Sequence, residues 1–361
     1  MSKTYNIGVI GYGMAAKVFH IPLIAVTPSM KLHTIVQRTP TASNSASKDH
    51  PGVKIVPSVD ELFADPEINI VIVTSTPETH FSFTKAALEA GKHVLVEKPF
   101  VPTAAEAQRL IEVSQQTKKL LCVYQNRRWD TDFLTFRKLQ REGTLGRLVE
   151  FETHFDRHRL DRPETWKGTL GMDQAGGVVY DLGTHLIDQV VVAFGMPQEV
   201  TGVLANQRGD EGEPDSMTAL LRYTQGKEKG LLATVKAAVI SPETAQLRYW
   251  VRGTKGSFKK YHLDVQEDQL KAGMKPGDEG YGIESNDMSG RLVVMEGDTP
   301  KESIWTNVEP ESYAALYQQF AKAIDQGASE AVPVKASEAR DVLRIIEAVR
   351  ESARSKKTIV L

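Results

Sequence analysis

Six short apolar runs, at residues 7–10, 32–36, 53–56, 70–73, 93–96 and 120–124, punctuate the first third of the chain, with helix-like stretches between them. Runs of four or five residues rich in Val and Ile are strand-length, and strands apolar on both sides must be covered on both faces. Strand–helix alternation of this kind reads as a parallel sheet flanked by helices. Ser58 with Glu61, and Thr103 with Glu106, stand at capping-box spacing and mark two helix starts. The expected fold class is α/β, with a first domain over residues 1–124 built on this parallel sheet.

Beyond about residue 146 the rhythm changes. A helical stretch at 177–194 precedes candidate strands at 200–204, 217–223, 230–239, 247–251 and 257–261, with 291–295 and 302–306 following. Strands in succession without helices imply a large, mostly antiparallel open sheet. The Gly- and Asp-rich stretch 264–290 reads as a long surface loop. Two helices close the chain, the last with Val342, Ile345, Ile346 and Val349 on one face. These features define a second α/β domain over 125–361.

At 361 residues, two domains are the natural expectation. Lys and Arg total 44 against 46 Asp and Glu, with no long block of one sign, so no nucleic-acid partner is expected. The longest apolar stretches are strand-length, so no membrane association is expected either. A strand begins within a few residues of the start, so no leader peptide is expected. Cys122 is the only cysteine and sits in an apolar run, which suits a reducing cytoplasm.

Gly11-Tyr12-Gly13-Met14-Ala15-Ala16 follows the first strand and opens a helix. Gly11 permits the tight turn and Gly13 lets backbone approach a pyrophosphate. The small Ala16 lets the helix pack close, aiming its first N–H groups at the anion. Met14 and Ala15 belong to this loop. An acidic residue at the end of the second strand would favour NAD; Gln37-Arg38-Thr39 stands there instead. Arg38 can clamp a 2′-phosphate, with Gln37 and Thr39 adding neutral polar groups, so NADP(H) is preferred and NAD(H) is the lesser expectation. Thr76, Pro77 and His80 after the fourth run, and Glu97 after the fifth, are further candidate cofactor contacts. Lys98, Asn126 and Arg128 complete that set. His80 is also read, with His20 and His93, as a packing or capping histidine.

Lys98 follows the fifth strand, and ligands of open α/β sheets bind beyond the carboxyl ends of the strands. Asp181 and His185 are four apart in a helical stretch and share a face. The preceding Gly176-Gly177 permits close backbone approach. Lys98, Asp181 and His185 are thus the candidate catalytic groups, able to move a proton while a nicotinamide moves a hydride. Asn126-Arg127-Arg128-Trp129, at the handover between domains, either contacts substrate, braces Lys98 or pins the domains together. His154, Asp156 and His158 lie on one side of a strand, but without a further clustered ligand no metal is expected. Arg127, His154, His158 and Trp166 are instead candidate substrate contacts, beside Lys98, Asp181 and His185.

Gly11-x-Gly13-x-x-Ala16, Glu97-Lys98-Pro99, Asn126-Arg127-Arg128 and Gly176-Gly177-x-x-x-Asp181-x-Gly183-x-His185 resemble the pattern of the glucose–fructose oxidoreductase and inositol dehydrogenase family, along nearly the whole chain. The resemblance implies a Rossmann dinucleotide-binding domain over residues 1–124, a substrate-binding second domain over 125–361, a cis Lys98-Pro99 peptide, and a second-domain open sheet that forms a homodimer or a dimer of dimers. Segments 18–23, 126–130 and 154–157 resemble the NADP-dependent branch containing scyllo-inositol dehydrogenases. That implies hydride transfer between nicotinamide and a CH–OH group of a cyclic polyol or sugar. His185 would take the hydroxyl proton, Lys98 would stabilise the oxyanion or share the relay, and Asp181 would orient the pair. Two alternatives stand beside it: a non-catalytic dinucleotide sensor or transcriptional regulator of the same fold, and a reductase of sugar aldehydes or uronic acids.

Overall fold

Every strand of the N-terminal sheet runs the same way. The computed structural model describes residues 3–361. Strands β1 (Tyr5–Ile10), β2 (Met30–Val36), β3 (Lys54–Val56), β4 (Ile70–Val73), β5 (His93–Val96) and β6 (Leu121–Val123) lie in the order β3-β2-β1-β4-β5-β6. All are parallel, so their carboxyl ends share one edge. The chain order reverses between β1 and β4, where open α/β sheets leave a ligand crevice. Both expected caps form: Ser58 accepts from the Glu61 N–H and Thr103 from that of Glu106. A Cβ on Gly8 would come within 2.9 Å of Leu62, so helix Val59–Ala64 packs tightly on β1.

This first unit comprises the chain up to Asn126 plus two later segments, Gln266–Tyr281 and Ser312–Arg340. The unit is thus assembled from three separate stretches of the chain. The expected loop at 264–290 contains a helix, Gln266–Lys271, whose buried Gln266 accepts from the Tyr313 N–H. Helix Ala314–Gln326 buries Leu316, Tyr317 and Phe320 along one stripe. Its Asp325 accepts a 2.6 Å hydrogen bond from Tyr5 of β1. Periodicity in the sequence marks this stripe; it does not say which sheet the stripe covers.

The second unit holds Arg127–Val265, Gly282–Glu311 and Asp341–Leu361. Its sheet has nine strands: β7 (Leu148–Asp156), β8 (Glu199–Ala205), β9 (Ser216–Arg222), β10 (Leu232–Ala238), β11 (Leu247–Gly253), β12 (Gly256–Tyr261), β13 (Gly290–Glu296), β14 (Thr299–Trp305) and β15 (Ile359–Val360). The order is β14-β13-β12-β11-β7-β10-β9-β8-β15, with only β7 and β10 paired in parallel. Every expected strand is present, and β7 lies near the middle.

One face of this sheet carries an aromatic core. Phe136 of helix Thr131–Glu142 and Phe194 of helix Thr184–Phe194 lie 4.9 and 5.2 Å from Phe151 of β7, ring centre to ring centre. Alternate residues such as Val203 and Trp250 are exposed. Several buried ion pairs sit within the unit, two of them on its sheet. Arg248 donates to Asp132 at 2.8 Å and to Gln189 at 2.7 Å, and Lys260 meets Glu284 at 2.5 Å. Among the described residues no helix is long and apolar enough to cross a membrane, and no group of three or more His, Cys, Asp or Glu could hold a metal ion.

Candidate active site

At the carboxyl edge of the parallel sheet, neighbouring strand ends bring the first unit's candidate residues into a row. Gly11 has φ +98°, a conformation that only glycine adopts without strain, and a Cβ there would press on Thr74 Oγ1 at 3.1 Å. Thr74 donates to the Ile10 carbonyl, tying β4 to β1 at this edge. Gly13 differs: a Cβ on it would meet no atom within 4 Å. The loop thus opens onto free space directly before a helical segment, whose first N–H groups lack intrahelical partners. That arrangement fits a pyrophosphate. The helix carries a π turn at Ala16–His20 before the α turns Ile21–Ala25, and the turn places His20 fully inside.

At the end of β2 the expected trio divides. Gln37 is buried and spent on the backbone, donating to the Asn44 carbonyl and accepting from the Ala46 N–H, both at 2.8 Å. It is a strut for the 44–46 loop. Arg38 and Thr39 are exposed, and the Arg38 guanidinium has no ion pair or hydrogen bond among the described residues.

His80 is also committed internally. It is buried, with Nδ1 2.9 Å from the Pro99 carbonyl and Nε2 3.0 Å from that of Ser75. Burial pulls its pKa below the ordinary histidine value, against the pull of those carbonyls. The ring clamps the turn after β5 to the end of β4. Thr76 precedes helix Pro77–Glu89 with extended backbone, and Pro77 is its first residue. His93 is a packing histidine: its Nδ1 accepts from the Leu120 N–H, and burial lowers its pKa to about 4.

Glu97 and Lys98 follow β5, and the Lys98–Pro99 peptide is cis, as the resemblance implied. Glu97 Oε2 accepts from the Lys98 N–H at 2.9 Å, and Glu97 Oε1 lies 2.8 Å from His20 Nε2. His20 Nδ1 in turn lies 2.7 Å from the Tyr317 hydroxyl, and its ring packs 4.5 Å from Tyr124. Burial acts to raise the Glu97 pKa. The His20 hydrogen bond, the charges on His20 and Lys98 and the Lys98 N–H outweigh it and hold the carboxyl below its ordinary value. The turn that carries Lys98 is thus anchored by a buried chain, Glu97–His20–Tyr317. His20 was expected only to pack. Tyr317 stands 297 residues away from it in sequence, which no local pattern reveals.

The second unit presents the other candidates. Gly177 has φ +79°, and a Cβ on Gly176 would collide with the Leu170 carbonyl, so both glycines are required here. Asp181 lies in a π turn, Val179–Gly183, of the expected helical stretch, and α-helix Thr184–Phe194 follows. Asp181 is nearly buried and forms a 2.8 Å ion pair with Lys167, whose ammonium lies 5.5 Å from the Trp166 ring. His185 is buried and stacks with Phe155 at 6.5 Å. Arg127 and Arg157 each lie over the Phe155 ring, at 4.7 and 4.6 Å.

The two arginines of the Asn126–Trp129 turn are held within this unit. Arg127 pairs with Asp130 at 3.1 Å, and its carbonyl accepts from Gln189. Arg128 makes a two-point pair with Asp188, at 2.8 and 2.7 Å. Asp188 and Gln189, one turn past His185, were missed by sequence reading, although Asp188 shares the His185 helix face at i+3. His154 is satisfied by its own strand: Glu152 and Asp156 lie 2.8 and 2.9 Å from its two ring nitrogens. His158 stands past the end of β7, exposed, in a backbone bridge with Ile240. Asn126 belongs to the first unit and is buried.

A parallel sheet ordered 3-2-1-4-5-6 with a glycine loop at its switch point, joined to a mixed-sheet unit bearing an Asp-x-x-x-His segment, defines a two-domain dinucleotide-binding oxidoreductase. Residues 5–125 match the oxidoreductase family model for the NAD-binding Rossmann fold, and residues 137–361 match its C-terminal alpha/beta domain. The chain belongs to this GFO/IDH/MocA oxidoreductase family. It is 39% identical to the uncharacterized oxidoreductase YdgJ of Escherichia coli K12, over the full length of both. It is 37% identical to the scyllo-inositol 2-dehydrogenase (NADP(+)) IolW of Bacillus subtilis, covering 99% of this chain and 96% of that one. An oxidoreductase crystal structure from Bacillus cereus superposes with a TM-score of 0.88 at 30% identity, covering 99% of each chain.

Proposed function

We propose that this chain is an NADP-dependent dehydrogenase acting on a CH–OH group of a cyclic polyol or sugar, of the scyllo-inositol type. The observation that carries the reading is the end of β2. Arg38 stands there exposed and unpaired, no carboxylate occupies positions 37–39, and Gln37 is turned inward. A free guanidinium suits a 2′-phosphate, and a carboxylate that would repel one is missing. IolW, 37% identical and named as an NADP(+) enzyme, supports the same reading.

Bound NADP supplies the hydride acceptor; the chain's own groups manage the proton. His185 takes the hydroxyl proton as the C–H bond breaks, and Lys98 stabilises the developing negative oxygen or shares the transfer. Asp181, paired with Lys167, holds a negative charge beside that chemistry. The Glu97–His20–Tyr317 chain keeps the backbone of Lys98 in place.

The test is reduction of NADP and of NAD by purified protein across inositol isomers, aldoses and uronic acids. Turnover of a polyol or sugar with NADP far above NAD is expected, and Arg38→Ala should weaken NADP binding about 10- to 100-fold, the worth of a charge-assisted contact. Comparable affinity for both cofactors, unchanged by Arg38→Ala, refutes the cofactor assignment. Failure to oxidise or reduce any carbohydrate despite cofactor binding refutes the enzyme.

A further inference from the structure

Five cationic side chains, Arg157, Arg159, Arg162, Lys167 and Arg208, line one cleft of the second unit together with Asp181 and Asp215. Four of them are fixed by the protein itself. Arg162 makes a two-point pair with Asp210, at 3.0 and 2.7 Å, and also reaches the Glu213 carbonyl. Arg208 pairs with Asp215 and donates to the carbonyls of Leu160 and Arg159. Lys167 is paired with Asp181, and Arg157 lies over Phe155.

Arg159 is different. Its backbone is anchored, with its N–H on the Val239 carbonyl and its own carbonyl accepting from Arg208. Its side chain is exposed, and its guanidinium makes no ion pair or hydrogen bond among the described residues. The cleft therefore offers an unspent fork of donors on a fixed stem, beside the Asp181 assigned to the reaction. Counting Asp210 and Glu213, whose charges also act on Arg162, with the two aspartates of the lining, five positive charges face four negative ones. A neutral polyol has no use for that surplus. Planar guanidinium donors match carboxylate and phosphate oxygens, and surrounding positive charge favours them further.

We propose that the substrate carries an anionic group, a carboxylate or a phosphate, held by Arg159 in this cleft while a carbinol carbon elsewhere on the same ring or chain is oxidised. This rests on the dehydrogenase reading above and departs from it in one respect: the polyol or sugar is charged, where scyllo-inositol is neutral.

The test uses the protein with NADP and matched substrates differing only in charge: an aldose, its uronate and its 6-phosphate. One charged member should exceed the neutral parent in kcat/KM by about tenfold or more, and added salt should erode that advantage. Which member leads identifies the anion as carboxylate or phosphate. Arg159→Ala should reduce the charged-to-neutral ratio about tenfold, and Arg159→Lys should restore part of it. A neutral parent turned over as well as both charged forms, or a ratio unmoved by Arg159→Ala, overturns the proposal.

A second readout, thermal protection by the uronate or by inorganic phosphate, separates the two readings. Protection of wild type but not of Arg159→Ala, with no turnover of any substrate, upholds the anion site and sinks the dehydrogenase. Neutral polyols oxidised with NADP, without protection by either anion, do the reverse. Neither turnover nor protection overturns both.

Discussion

Replacing His20 by alanine removes the middle of the buried chain that anchors the Lys98 turn. Glu97 loses the partner at 2.8 Å and keeps only the Lys98 N–H, while the Tyr317 hydroxyl loses the ring nitrogen at 2.7 Å. His20 is fully buried and the Glu97 side chain is 10% exposed, so water replaces little of what is lost. Removing one member of a buried pair costs about 3–5 kcal/mol, and an orphaned hydroxyl adds about 1 kcal/mol. In a chain of 361 residues that corresponds to a fall in Tm of roughly 5–8 °C, measurable by circular dichroism.

The effect depends on pH with a definite sign. In the wild type the folded pKa of Glu97 is depressed, so its contribution is present above the unfolded value and lost as pH falls through the folded one. Without His20, burial dominates and raises that pKa, so the carboxylate destabilises the fold increasingly as pH rises. The deficit of His20→Ala should be large at pH 7 and shrink as pH falls below about 5. The double variant with Glu97→Gln should cost clearly less than the sum of the singles. A deficit below about 1 kcal/mol at pH 7, a pH-independent one, or strict additivity refutes the argument.

Lys98→Ala and His185→Ala should each lower turnover by about 10²–10⁴-fold, with NADPH affinity by fluorescence titration little changed; full activity in both removes them from the reaction. Gly13→Ala, placed where a Cβ meets nothing, should unfold like the wild type yet bind dinucleotide poorly. Gly11→Ala, forced to φ +98°, should lose about 1 kcal/mol or more; equal melting of the two variants contradicts this. Burial raises the Glu284 pKa from 4.5 to about 7, with the Lys260 charge opposing. A raised value means stability present below 4.5 and lost as pH rises through 7, on the order of 3 kcal/mol. Glu284→Gln should therefore flatten the urea-denaturation stability between pH 5 and 8, and a profile as steep as that of the wild type refutes it.

Local chemistry determined a good deal of this protein in advance. The run 70–73 appears as β4 because four consecutive apolar, β-branched residues suit a buried strand in a sheet covered on both sides. The capping pairs at Ser58 and Thr103, and the glycines at 11, 176 and 177, were readable because caps and left-handed or crowded backbone demand particular residues nearby. The cofactor loop was legible for the same reason.

Partners across long sequence separations were not. His20 and His80 look alike as lone histidines, yet one joins Glu97 to Tyr317 and the other clamps two backbone turns. Gln37 reads as a polar group for a ligand until the 44–46 loop folds over it. Residues 266–281 and 312–340 return to the first unit although they lie deep in the second half of the chain. An amphipathic stripe states that a face must be buried, while shape and the chain's path decide against what. The cleft arginines belong to the same class: each reads as an ordinary surface charge. Only the fold makes them neighbours, spends four of them on fixed partners and leaves Arg159 with an open guanidinium.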